Sequence, residues 1–140
     1  MAVVLDANFL LALITPHPLR ENAYRLFQNW IAQGVELHAP ELARYEVTNA
    51  LTKLIAANLF PPEELASVCV ELSALPITYH ALTLEPRVVE IAASLGRNSV
   101  YDAAYLALAE TLFSELWTLD EPLYRIAAGL GFTVQLLGES

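Results

Sequence analysis

Four acids stand where apolar segments should not carry them. Asp6 closes the run Val3-Val4-Leu5, and Asp120 closes Leu116-Trp117-Thr118-Leu119. Glu46 and Asp102 interrupt two otherwise apolar stretches with helical spacing. A carboxylate that leaves water or meets another carboxylate costs free energy, so the fold must have a use for these groups. Two carboxylates about 5 Å apart repel by roughly 3 kcal/mol at an effective dielectric near 20. Four that converge must take up protons or hold a cation. An all-oxygen donor set suits Mg²⁺ or Mn²⁺. Such an ion lowers the pKa of a bound water, polarises a phosphoryl oxygen and stabilises a leaving oxygen. The chemistry to expect is metal-dependent hydrolysis of a phosphodiester. Zinc fits poorly, because Cys69 is the sole cysteine and His17, His38 and His80 have no ligand spacing. No nucleophilic side chain has a convincing base beside it in the sequence.

The elements that must position these acids alternate. Residues 2–5 read as a short buried strand, and Asn8 to Ile14 as a helix stopped by Thr15-Pro16-His17-Pro18. Leu19, Ala23, Leu26, Phe27, Trp30 and Ile31 share one helix face, which Gly34 ends. Val35 to Ala39 is a second strand. Pro40, at a tolerated first-turn position, opens a helix to about Ala57. Pro61-Pro62-Glu63-Glu64 is a helix start with acids at the positive end of the dipole. Pro76 to Tyr79 is a third strand, Leu84 to Leu95 a helix, and Ser99 a candidate cap for a helix from Val100 to about Phe113. Glu115 to Leu119 is a strand, Glu121 to Ala128 a helix, and Phe132 to Gln135 the last strand. Strands separated by single helices or helix pairs predict an α/β domain with a mainly parallel sheet of about five strands. Ligands of such sheets bind outside the strand carboxyl ends. Asp6 and Asp120 both lie at such ends.

Composition bounds the reading. At 140 residues the chain is the size of one domain, and residues 1–140 are read as such. Its 56% apolar residues and only 16% charged residues imply a thick core, an apolar interface, or both. No run reaches the roughly 18–20 apolar residues of a membrane span. The start Met1-Ala2-Val3-Val4-Leu5-Asp6 lacks the basic region of a signal peptide. One cysteine allows no intrachain disulfide. These features predict a cytoplasmic protein with no membrane association. The net charge of −9 argues against a broad basic face for nucleic acid. It leaves room for a nuclease whose acidic site is neutralised by bound cations.

Four blocks of this sequence, in order, resemble the PIN-domain family and, within it, the small VapC-like ribonuclease toxins of type II toxin–antitoxin systems. The first is Val3-Val4-Leu5-Asp6-Ala7-Asn8. The second is Ala39-Pro40-Glu41-Leu42-Ala43-Arg44-Tyr45-Glu46-Val47-Thr48-Asn49-Ala50-Leu51. The third is Val100-Tyr101-Asp102-Ala103-Ala104-Tyr105-Leu106-Ala107-Leu108-Ala109, and the fourth Leu116-Trp117-Thr118-Leu119-Asp120. Each block is weak alone; together they cover nearly the whole chain. The resemblance implies a three-layer α/β/α sandwich and a catalytic site of Asp6, Glu46, Asp102 and Asp120. It also implies one or two Mg²⁺ or Mn²⁺ ions, endonucleolytic cleavage of RNA, a homodimer and inhibition by a cognate antitoxin docked near the early helices.

Roles follow for named residues. Asp6 and Asp102 are the first choices as metal ligands, a strand end being a rigid platform. Glu46 and Asp120 bind metal directly or through water, and Glu46 is also placed to orient the attacking water. Asn8 and Thr118 either support the ligands and a phosphate or cap the backbone locally. Thr118, two residues before Asp120, shares its strand face. Arg44 and Arg97 are candidate RNA contacts, while Lys53 is expected at the surface. Tyr45, Tyr101 and Tyr105 flank the acids and read as core packing before base stacking. Cys69 reads as a buried thiol on an apolar stripe. His80, at a strand end, is the histidine to watch.

Simpler roles exist for each acid alone: a strand-end cap for Asp6, a solvated helix residue for Glu46, a helix N-terminal acid for Asp102, an N-cap for Asp120. The competing function is a PIN fold kept as a non-catalytic binding or scaffold module, against which the retention of all four acids argues. A phosphorylated receiver domain would need an acid pair after the first strand and a lysine near the last, and no lysine follows Lys53.

Overall fold

The structure, a computed structural model, describes residues 1–96 and 100–138. Strand β1 (Ala2–Leu5) leads into α1 (Ala7–Ile14) and α2 (Arg20–Ala32). Strand β2 (Glu36–Pro40) precedes α3 (Leu42–Ala56), a 3₁₀ turn (Pro62–Glu64) and α4 (Leu65–Ala74). Then come β3 (Ile77–His80), α5 (Glu85–Ser94), α6 (Tyr101–Thr111), β4 (Glu115–Thr118), α7 (Glu121–Gly129) and β5 (Val134–Leu136).

The strands form one parallel sheet in the order β3-β2-β1-β4-β5. Helices cover both faces in a three-layer α/β/α sandwich. Helix α6 packs across β1, β2 and β4 with α5 against it, while α1 packs on α2, α3 and α4. The central position of β1 explains its composition. A strand paired on both sides and covered on both faces reads as a continuous apolar run, and Val3, Val4 and Leu5 are all buried. The edge strand β3 is only partly buried. Phe9, Trp30 and Trp117 lock α1, α2 and β4 together, with ring centroids 5.6 Å and 5.5 Å apart along the series.

The chain runs from β1 outward through β2 and β3, then returns to the other side of β1 for β4 and β5. The order therefore reverses between β1 and β4. A crevice opens at the carboxyl ends of the strands that flank such a switch point. Asp6 and Asp120 follow these two strands.

Several local expectations change. Pro40 ends β2, opposite His80, instead of opening α3; a fixed proline φ suits either place. The Pro61-Pro62-Glu63-Glu64 start makes a 3₁₀ turn before α4 begins at Leu65. Helix α4 buries Val68, and Cys69 is exposed, not buried. Tyr45 and Tyr101 are 73% and 56% exposed, so of the three tyrosines only Tyr105 is in the core. Ser99 and Arg97 lie outside the described residues. The histidines that look unrelated in sequence meet across the sheet: His38 Nδ1 and His80 Nε2 are 2.8 Å apart. Burial first, then His38, lowers the His80 pKa.

Candidate active site

Asp6 leaves β1 and caps α1. Its Oδ1 accepts a hydrogen bond from the Phe9 amide at 2.9 Å, and its Oδ2 accepts from the Thr118 hydroxyl at 2.5 Å. Asp120 makes the matching junction between β4 and α7, where its Oδ1 accepts from the Leu123 amide at 3.0 Å. The Asp120 amide in turn donates to Thr118 Oγ1 at 3.0 Å. One buried hydroxyl thus joins the two junctions on either side of the switch point. The simple capping roles of Asp6 and Asp120 are real, and they orient both carboxylates at helix N-termini that favour negative charge.

Glu46 comes from the second turn of α3 and Asp102 from the first turn of α6. Tyr105 follows Asp102 by three residues, on the same side of α6. Its hydroxyl donates to Glu46 Oε1 at 2.5 Å, linking the two helices. Burial, then this bond and the Glu46 charge, drive the Tyr105 pKa far up, so the phenol keeps its proton.

Four separate elements therefore bring Asp6, Glu46, Asp102 and Asp120 to the wall of one cavity of about 210 Å³. Asn8 also lines it, and Thr118 lies beneath Asp6. Asn49 and Lys53 join the wall, with Tyr105 between α3 and α6. Arg44 does not: it pairs with Glu41 at 3.0 Å and lies 5.5 Å over the Tyr79 ring. A wider cavity of about 650 Å³ opens at the amino ends of the strands, beside Met1, Trp30 and Phe113. Ligands of open parallel sheets bind at the opposite end, where the acids are.

The electrostatics match a crowded carboxylate site. Asp6 is 6% exposed, and its pKa is raised from 3.8 to about 6. Burial is the largest cause, the Glu46 charge adds to it, and the bonds from Thr118 and Phe9 oppose it. Among the described residues, no three acid, histidine or cysteine side chains close around a single point. The carboxylates line a cavity instead of forming a finished cage. The donor set still fits Mg²⁺ or Mn²⁺. Mg²⁺ commonly takes one or two protein carboxylates and keeps several waters, which the cavity can hold.

Tyr105, Asn49 and Lys53 were not recognisable as site residues from composition. The signal for the last two was present: Glu46, Asn49, Ala50 and Lys53 follow the i, i+3, i+4, i+7 spacing of one helix face. Tyr105 shares its helix side with Asp102 in the same way.

The PIN domain family model matches residues 3–129. The chain belongs to the PIN domain family. Ribonuclease VapC3 from Pyrobaculum aerophilum is 37% identical over 128 residues, covering 88% of this chain and 92% of that protein. The crystal structure of PAE2754 from the same organism superposes with a TM-score of 0.66 at 25% identity, over 90% of this chain and 84% of that one. VapBC2 from Rickettsia felis, solved bound to a DNA fragment from its promoter, gives a TM-score of 0.72 at 13% identity, over 99% and 100% of the two chains. That last likeness speaks to the fold alone. In this PIN domain the four acids of the cavity sit within the matched region.

Proposed function

We propose that this PIN domain is an Mg²⁺- or Mn²⁺-dependent endoribonuclease and the toxin of a toxin–antitoxin pair. The observation that carries the reading is the meeting of four carboxylates, from four elements, in one cavity at the switch point of the sheet. The 37% identity to a ribonuclease over most of both chains supports RNA as the substrate. The resemblance of the four sequence blocks to VapC-like toxins supports an antitoxin partner. A homodimer and a cytoplasmic location belong to the same reading; among the described residues no helix is long and apolar enough to cross a membrane.

Asp6 and Asp102 would hold the metal, with Glu46 and Asp120 binding directly or through water. The ion, when bound, supplies a water of lowered pKa and positive charge at the phosphoryl oxygen. The protein's part is orientation. Thr118 fixes Asp6 and ties it to the Asp120 junction, and Tyr105 holds Glu46 toward the cavity. Asn8 and Asn49 offer amides to phosphate oxygens. The deciding experiment is incubation of purified protein with a mixed RNA pool in Mg²⁺, Mn²⁺ or EDTA, beside Asp6→Asn. Metal-dependent cleavage lost in the variant supports the reading. Well-folded protein that neither cuts RNA nor binds Mn²⁺ turns it to the second reading, a non-catalytic PIN-fold binding module, which the net charge of −9 favours.

A further inference from the structure

Lys53 is the chain's single lysine, and it stands on the wall of the acidic cavity. The spacing Glu46, Asn49, Lys53 puts it on the cavity side of α3, two turns beyond Glu46. The described arginines are engaged elsewhere. Arg25 pairs with Glu21, Arg44 with Glu41, Arg87 with Glu110 and Arg125 with Glu121, and Arg20 lies over the Tyr24 ring. Among the described residues, Lys53 alone of the lysine and arginine side chains makes neither an ion pair nor a ring contact.

An RNA strand entering this cavity meets four acids in a protein of net charge −9. Cations held by the acids would supply positive charge at the reacting phosphate. The next phosphates along the strand still need a partner. Resting on the ribonuclease reading above, we infer that Lys53 binds the RNA phosphate adjacent to the reacting one, on the α3 side of the cavity. Lysine suits this role, because a compact ammonium with three donors on a flexible stem serves as a point charge for a backbone oxygen. Asn49, one turn earlier on the same face, offers its amide to the same backbone. A contact of this kind sets the register of the strand and reads no base.

A lysine in the last turn of a helix also meets the negative end of the helix dipole. That role acts on stability alone, so binding separates the two. The test measures kcat/KM on a short labelled single-stranded RNA against salt for wild type, Lys53→Gln and Lys53→Arg, with Arg125→Gln as control. Binding of the same RNA is followed by anisotropy in the Asp6→Asn background, with and without Lys53→Gln. Loss of one phosphate contact makes the plot of log affinity against log salt shallower by about 0.7. The deficit of Lys53→Gln therefore shrinks roughly threefold between about 50 and about 200 mM salt. It appears in KM more than in kcat, arginine restores it, and Arg125→Gln leaves the slope unchanged. A protein that cuts RNA with the same salt slope in wild type and Lys53→Gln overturns the inference and leaves the ribonuclease reading intact. Wild type that cuts no RNA, with no RNA binding in the Asp6→Asn background, overturns both.

Discussion

Two cavities flank α3 and α6, and neighbours in the chain divide between them. The acidic cavity takes Glu46 and Asp102; an apolar one of about 510 Å³ takes Tyr45 and Tyr101, with Leu82, Val100 and Leu108. Successive helical residues point about 100° apart. The pairs Tyr45-Glu46 and Tyr101-Asp102 therefore each send a carboxylate one way and a ring the other. The two cavities differ in how their side chains are held. Asp6 and Glu46 are fixed by hydrogen bonds from Phe9, Thr118 and Tyr105, while Tyr45 and Tyr101 stand largely in solvent. Carboxylates drawn partly out of water need hydrogen bonds that orient them. The chemistry is expected in the cavity that holds the oriented carboxylates, not in the roomier one.

The strongest way to break that contrast is Asp6→Asn. Cleavage is expected to fall by more than roughly a hundredfold, since even residues that merely support metal ligands cost about 10–100-fold. The fold should survive, because asparagine caps a helix about as well as aspartate. Asp102→Asn is expected to behave likewise. Full metal-dependent cleavage in both variants, with unchanged circular dichroism, would remove the four acids from the chemistry.

A second effect is on stability. A carboxyl whose folded pKa lies above its unfolded value holds its proton more tightly when folded. Its contribution is greatest below the unfolded value and is lost as pH rises through about 6. The rise from 3.8 to about 6 corresponds to roughly 3 kcal/mol for this buried group. Wild type, compared with Asp6→Asn, should therefore have a Tm several degrees higher at pH 5 than at pH 7.5. The comparison with the variant matters, because the lowered His80 pKa acts in the opposite direction as pH falls. Mn²⁺ at pH 7.5 should raise the wild-type Tm and leave Asp6→Asn unmoved. Equal pH dependence in the two proteins would show that Asp6 carries its charge without penalty.

Tyr105→Phe comes next, at about tenfold in cleavage, the scale of a hydrogen bond to a charged group. The loss should fall on kcat, with the fold intact. Unchanged kinetics would mean that Glu46 needs no holding, and the contrast between a cavity of oriented carboxylates and an apolar one would weaken.

How far these features were legible depends on the kind of residue. The parallel sheet was readable because β1 is apolar throughout and each strand is separated by helical spacing. The acids were readable because a charge at the end of an apolar run is anomalous. What hid was anything set by direction in three dimensions. Cys69 shares an apolar stretch with Val68, yet α4 turns it outward. Tyr45, Tyr101 and Tyr105 look alike beside their acids, yet only Tyr105 turns inward, to bond Glu46. His38 and His80, 42 residues apart, meet only because β2 and β3 are neighbours in register. Local periodicity tells which residues share a face; which face meets which is decided by the crossovers.

The smallest effect tests the apolar side. Leu82 is 60% exposed and lines the apolar cavity without touching the acidic one. Leu82→Ser should leave cleavage of a short RNA within about twofold and stability within about 0.5 kcal/mol, as for a surface position away from the core. Steady-state kinetics and a melting curve on one preparation check both. A tenfold loss of cleavage with an unchanged melting curve would mean that the strand, or a second copy of the chain, occupies the apolar cavity during the reaction. The two cavities would then be one site with an acidic half that cuts and an apolar half that grips, and the split of Tyr45-Glu46 and Tyr101-Asp102 would be the means of serving both at once.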